Sequence, residues 1–218
     1  MKYSNEELSK QLRCPEGAEA RQIGENMFQS NCNMIFETIN TLDICPNSKV
    51  FEIGFGNGMH LSYLFERETS LKYQGVEISQ AMVDESNLNN QELVKSGRVA
   101  FINTSESDFS FIPSSSFNYC FSVNTLYFWN NPQRYFDEIY RILERNGAIA
   151  ISFMSKSFGE GLPFTQAGFT FYETGDVERF LFGSGFINVR SVMLTEDAIS
   201  KNGQKVERSF VILSANKD

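Results

Sequence analysis

Several ingredients are scarce in this chain of 218 residues, and each shortage excludes a class of protein. The sole histidine is His60, and the four cysteines, Cys14, Cys32, Cys45 and Cys120, form no CxxC pair, so no metal site is expected. The chain opens MKYSNEELSK, which has no apolar signal core; reduced thiols and a cytoplasmic setting are the expectation, not a disulfide framework. No apolar run approaches the roughly 18 residues that a membrane span needs. Positive charge is also short, with 19 basic against 27 acidic residues and a net charge of -8. That sign opposes binding to a phosphate backbone, and the basic residues are scattered, so neither a nucleic-acid nor a membrane partner is expected. Repeats, low-complexity tracts and linkers rich in Pro, Gly and Ser are missing as well, which points to one compact unit.

What is present is a large apolar fraction, 41%, distributed with a clear rhythm. From Lys49 onward, short apolar runs alternate with amphipathic helical stretches, the pattern of an α/β protein with a mostly parallel sheet. Val50–Ile53, Tyr73–Ile78, Val99–Ile102, Phe117–Val123 and Ala148–Phe153 read as its first five strands. Phe186–Leu194 and Val206–Leu213 follow, joined through Asn202-Gly203, a hairpin signal that makes the last pair antiparallel. Seven strands with helices on both faces are therefore predicted, with residues 1–44 as a helical cap and 45–218 as the single main domain. Asn131 and Pro132 suit a helix start, and Phe136, Ile139, Tyr140 and Leu143 form its apolar stripe. Gly147 is placed to end that helix in the left-handed conformation. Ile35, Ile39 and Leu42 mark an earlier helix, and Val177, Phe180 and Leu181 a later one stopped by Gly183 and Gly185.

The most informative stretch runs Val50-Phe51-Glu52-Ile53-Gly54-Phe55-Gly56-Asn57-Gly58. A buried strand enters a turn with glycine at alternate positions, where the chain bends sharply and a ligand can approach the backbone. A dinucleotide site wants G-x-G-x-x-G, and its last glycine position is Met59 here. Glu52 would also repel a pyrophosphate but attract an ammonium group. Glu77 ends the second strand at about the 20-residue spacing from the glycine loop at which a carboxylate meets ribose hydroxyls. An adenosine with an amino-acid tail satisfies both carboxylates, and S-adenosylmethionine is such a molecule.

On these residues the chain resembles the class I S-adenosylmethionine-dependent methyltransferases from Lys49 to the C-terminus. VFEIGFGNG is similar to their first motif, YQGVEIS to the second, and NTSESDFSF to the adenine-facing segment. The stretch FNYCFSVNTLYFWNNPQRYFDEIYRILERNGAIAISF resembles the bacterial ubiquinone/menaquinone-biosynthesis-like members, and QLRCPEGAEARQIGENMFQSN the region that caps the cofactor in them. The resemblance implies that Gly54, Gly56 and Gly58 line the methionine portion, with Glu52 near its amino group. It implies Glu77 on the ribose, Ile78 on the adenine, and Thr104, Ser105 and Glu106 at the adenine edge. Ser122, Val123 and Asn124 lie beside the donor methyl group in that family, and Met27 and Asn31 are candidates from the cap.

Transfer from a sulfonium is an in-line displacement that chiefly needs alignment and exclusion of water, and no catalytic triad is evident. Tyr127, Phe128 and Trp129 are candidates for an apolar acceptor wall, with Met154–Tyr172 as a lid or a cover for the sheet, so a small, partly aromatic or apolar acceptor is expected. His60 reads as a capping or packing residue instead of a general base, and Cys120 as core. Two other readings compete: a nicotinamide-dependent oxidoreductase, and a non-catalytic S-adenosylmethionine-binding sensor. Asn124-Thr125-Leu126-Tyr127 loosely echoes the N-P-P-Y loop of nucleobase amino-methyltransferases, without its prolines.

Overall fold

The computed structural model describes residues 3–104, 109–199 and 205–218. Two helices come first, α1 (Asn5–Arg13) and α2 (Ala20–Thr41), followed by β1 (Lys49–Ile53), α3 (Leu61–Arg67), β2 (Lys72–Glu77), α4 (Gln80–Asn89) and α5 (Gln91–Lys95). Then come β3 (Val99–Asn103), β4 (Phe117–Val123), α6 (Pro132–Ile142), β5 (Leu143–Met154), α7 (Lys156–Gly159) and α8 (Thr174–Gly183). Two long strands, β6 (Phe186–Ile199) and β7 (Lys205–Lys217), close the chain. Among the described residues no helix is long and apolar enough to cross a membrane.

The strands form one seven-stranded sheet in the order β3-β2-β1-β4-β5-β7-β6. Every pair from β3 to β5 is parallel, while β7 runs antiparallel to both β5 and β6. The expected sheet is therefore present, with its antiparallel end; the Asn202-Gly203 turn lies outside the described residues. After β3 the chain returns to the other side of β1, so the order reverses between β1 and β4. Ligands bind outside the carboxyl ends of strands at such a reversal.

Register settles the two faces. Glu52 pairs with Gly75 on one side and Phe121 on the other, and Phe121 with Ala150, so these residues share a face. Two residues further along, Ser152 points the same way, and Thr38 of α2 donates to its hydroxyl at 2.7 Å, so α2 covers that face. Phe51 faces the other way, onto Phe109, which meets Tyr135 of α6 edge-on. Cys120, also on β4, is fully buried as expected.

The helix after Asn131 differs from the sequence expectation at its far end. Asn131 does cap it, accepting from the Arg134 N–H at 3.2 Å, with Pro132 in the first turn. It stops at Ile142, however, and Leu143 already has extended backbone at the start of β5. Gly147 does not end the helix; Asn146 takes the left-handed conformation, at φ 62°. Gly147 is needed for space, because a Cβ there would lie 2.8 Å from the Glu144 carbonyl and 2.9 Å from that of Asn118.

Candidate functional site

Two adjoining clefts open at the carboxyl ends of β1, β2 and β4. The larger, roughly 800 Å³ and open to solvent, is walled by Glu77, Ile78, Thr104 and Asn124 together with Phe109, Phe128, Trp129 and Tyr135. The smaller is walled by Glu52, His60, Phe55 and Asn57. Met27, Asn31, Gly54, Gly56 and Val123 belong to both, so these residues mark the junction.

The glycine loop is shaped from behind by α4. Ser86 Oγ donates to the Gly56 carbonyl at 3.0 Å, Asn89 Nδ2 to that of Asn57 at 2.9 Å, and Asn90 Nδ2 to that of Gly58 at 3.1 Å. With those carbonyls drawn back, the loop's opposite side is left for a ligand. Gly56 sits at φ 57°, and a Cβ built on it would meet nothing within 4 Å; its bareness serves the cleft and the turn. At Gly54, φ 76°, the constraint is protein contact instead, since a Cβ would lie 2.3 Å from Thr125 Cγ2.

Glu77 is buried at the end of β2, and its carboxylate is cradled by backbone. The N–H groups of Ile78 and Ser79 donate to Oε1 at 2.8 and 3.1 Å, and that of Gly56 to Oε2 at 3.2 Å. Burial pushes this carboxyl up to about 7, against the lowering by the Ser79, Gly56 and Ile78 N–H groups; the nearby Glu52 charge adds to the rise.

Glu52 is buried too, but side chains hold it. His60 Nε2 lies 2.7 Å from Oε2, and the Tyr73 hydroxyl donates to the same oxygen at 2.5 Å. Tyr73 reaches along its own strand past Gly75, where a Cβ would sit 2.6 Å from the phenol oxygen and 2.5 Å from the Phe55 ring. Burial, then the adjacent Glu52 charge, pushes the Tyr73 phenol well above its ordinary range, which keeps it a donor. With both donors on Oε2, the other carboxylate oxygen has no protein donor among the described residues. His60 gives α3 no side-chain cap; it packs edge-on to Phe121 and orients Glu52.

The other expected site residues divide. Gly54, Gly56, Ile78, Thr104, Val123, Asn124, Met27 and Asn31 line a cleft. Gly58 does not; it packs toward Ser86 and Asn90. Ser122 is fully buried, donating to the Ile53 carbonyl at 2.7 Å and meeting the Thr125 hydroxyl, so it ties β4 to β1. Ser105 and Glu106 lie outside the described residues.

Of the aromatic trio, Phe128 and Trp129 reach the larger cleft and Tyr127 does not. Tyr127 is buried against Phe169 and Phe171, its hydroxyl donating to Asn124 Oδ1 at 2.8 Å and accepting from the Met154 N–H. A buried phenol with hydrogen-bond partners on both sides braces the turn after β4. The Phe-rich segment after β5 is a buttress of the same turn. Its Thr170 N–H donates to the Tyr127 carbonyl at 3.0 Å, and its Ala167 carbonyl accepts from Ser9 of α1 at 2.5 Å. None of its residues walls either cleft.

Sequence reasoning missed Leu12, Arg13 and Pro15, which bring the end of α1 into the larger cleft. Ser79 fastens this corner by donating to the Pro15 carbonyl at 2.5 Å. It missed Phe109 and Tyr135 as well; Tyr135 stacks on Trp129 with centroids 4.3 Å apart and planes 5° from parallel. Aromatic residues beside the WNNP stretch were the available signal, but stripe position alone does not say which ring reaches a cavity.

Comparison with known proteins agrees with this geometry. The family profile described as a methyltransferase domain matches residues 51–151. The uncharacterized methyltransferase YdaC of Bacillus subtilis (strain 168) is 31% identical over 144 residues, which are 61% of this chain and 77% of YdaC. Among solved structures, Haemonchus contortus phosphoethanolamine N-methyltransferase 2 superposes with a TM-score of 0.70 at 15% identity, over 99% of this chain and 60% of that one. Geranyl diphosphate C-methyltransferase from Streptomyces coelicolor A3(2) gives 0.67 at 13% identity, over 94% and 86%. Such distant likenesses show the fold, whereas the profile and YdaC carry the family. Sheet order, glycine loop and these matches together establish that this chain belongs to the class I S-adenosylmethionine-dependent methyltransferases.

Proposed function

We propose that the two clefts form one S-adenosylmethionine site and that the protein methylates a small, partly apolar or aromatic acceptor. The observation that carries this reading is the pair of buried carboxylates. Glu52 and Glu77 stand at the ends of neighbouring parallel strands, on one face by the alternation of their side chains, with the bare Gly56 between them. In this reading Glu77 accepts from ribose hydroxyls, Ile78 and Thr104 flank the adenine, and the free oxygen of Glu52 receives the amino group. Gly54 and Gly56 shape the methionine side with Gly58 packed behind them, and Met27 and Asn31 cover it from residues 1–44, which cap the main domain at 45–218.

When bound, the cofactor supplies a methyl group already activated by its sulfonium. The chain's own residues then position and shield. Val123 stands at the junction of the clefts and Asn124 next to it in the larger one, with Ser122 fixing the strand end behind them. Half-buried Phe128, with the largely buried rings of Phe109, Trp129 and Tyr135, forms the aromatic wall of the larger cleft. That wall favours catalysis over a cofactor-binding sensor, since a filled cavity would leave no place for an acceptor. Related structures hold phosphomonomethylethanolamine and geranyl diphosphate, acceptors of different chemistry on one fold, so the fold does not choose the acceptor here.

Calorimetry with S-adenosylmethionine and S-adenosylhomocysteine tests the cofactor site, and micromolar binding is expected. Binding of neither overturns the reading. A metabolite screen with methyl-labelled cofactor, richest in planar and apolar compounds, then identifies the acceptor by label transfer.

A further inference from the structure

Asn31 is oriented from two sides. Arg208 Nη1 and Asn124 Nδ2 each donate to its Oδ1 at 3.0 Å. A guanidinium only donates, so the amide cannot be turned around, and Asn31 Nδ2 has no protein acceptor among the described residues. Asn31 lines both clefts, and with its oxygen committed the side chain has only N–H donors left to offer. Its natural ligand is an anionic or carbonyl oxygen.

Arg208 belongs to β7, outside the segment matched by the methyltransferase profile. It is only 7% exposed, and its donors are directed: Nε to Glu196 Oε1 at 2.7 Å, Nη2 to the Ser30 carbonyl at 2.7 Å. Glu196 in turn accepts from Asn33 Nδ2 at 2.5 Å. A buried ion pair is weak evidence for stability, because desolvation offsets much of the attraction. Here both members of the pair also grip Ser30, Asn31 and Asn33, one stretch of α2 at the rim of the clefts.

We infer that Arg208 is a positioning residue that aims the Asn31 amide at the carboxylate of the cofactor's amino-acid tail. The inference rests on the cofactor reading above. With the ammonium drawn to Glu52, the remaining charged group of that tail is its carboxylate, and an amide locked with its N–H groups forward is suited to it. The C-terminal hairpin thus takes part in donor recognition without touching the donor.

Decarboxylated S-adenosylmethionine, which keeps the ammonium and lacks the carboxylate, separates this role from a merely structural one. Asn31→Ala should weaken S-adenosylmethionine binding about tenfold in calorimetry and leave the decarboxylated ligand unchanged. Asn31→Asp keeps an acceptor for Arg208 but sets an anion against the carboxylate, and should weaken S-adenosylmethionine still more. Arg208→Lys should give a smaller loss with the same selectivity, and no further loss once Asn31 is alanine, as expected of a residue acting through another. Equal losses for both ligands, losses that multiply in the double variant, or unchanged affinity in the Asn31 variants would each overturn the inference while leaving the cofactor site standing. Failure of the unaltered protein to bind either ligand would overturn both.

Discussion

The two carboxylates at the head of the sheet are built in different ways. Glu77 rests on three backbone N–H groups, whereas Glu52 rests on two side chains, His60 and Tyr73. Backbone donors come with the fold of the loop and no side-chain truncation removes them, so truncation can delete only Glu77 itself from its cleft. Side-chain donors can be deleted one at a time. Backbone donors do not fully offset the burial of Glu77, whose carboxyl is pushed up to about 7. The two ends of the site should therefore fail separately.

The sharpest way to separate them is Glu77→Ala. It removes the hydroxyl acceptor and leaves three N–H groups unpaired, so affinity for both S-adenosylhomocysteine and methylthioadenosine should fall about a hundredfold. Equal loss on both ligands marks the adenosine end, and calorimetry reads it directly.

A pH series sharpens the contrast. The carboxyl of Glu77 lies near 7, so it is largely neutral at pH 6 and ionised at pH 8. Methylthioadenosine affinity should accordingly be about tenfold weaker at pH 6 than at pH 8, if the ionised form binds. The cofactor-free protein should respond in the opposite sense. Folding raises this carboxyl above its usual value of 4.5, so its contribution to stability is full below that value and is lost as pH rises through about 7. The loss is on the order of 3 kcal/mol. Urea unfolding of the natural protein against Glu77→Gln isolates it, and parallel pH curves for the two would contradict the assignment.

Tyr73→Phe tests the side-chain cradle. It leaves His60 as the remaining donor to Glu52 and should weaken S-adenosylhomocysteine about three- to tenfold, with methylthioadenosine unaffected. A loss common to both ligands would mean that Tyr73 supports the whole loop and not Glu52 alone. The smallest effect on the fold is expected at Gly56→Ala, where φ 57° and open space predict a stability loss of about 1 kcal/mol, while the added methyl enters the cleft and weakens binding. Thermal unfolding with and without cofactor compares the two.

Much of the cofactor end was legible because its signals are local. Glu52 stands next to the glycine loop, Glu77 closes the following strand, and Asn131-Pro132 announces α6, each within a few residues of its structural partner. The partners of those groups were not legible. Burial of Tyr127 follows from Phe169 and Phe171, and the role of Gly147 from the carbonyl of Asn118 on the neighbouring strand. His60 could be read as packing, but its bond to Glu52 depends on how far the loop swings back toward β1.

Alternation, glycine spacing and caps determined the sheet, the loop and the cofactor class, because each is a preference of short backbone segments and the side chains they carry. The tertiary structure alone decided which aromatic rings face the clefts, that the end of α1 walls one of them, and that Arg208 meets Asn31 across 177 residues of chain. Those contacts depend on how whole elements pack against each other, and period and propensity carry no information about distances between groups so far apart in sequence.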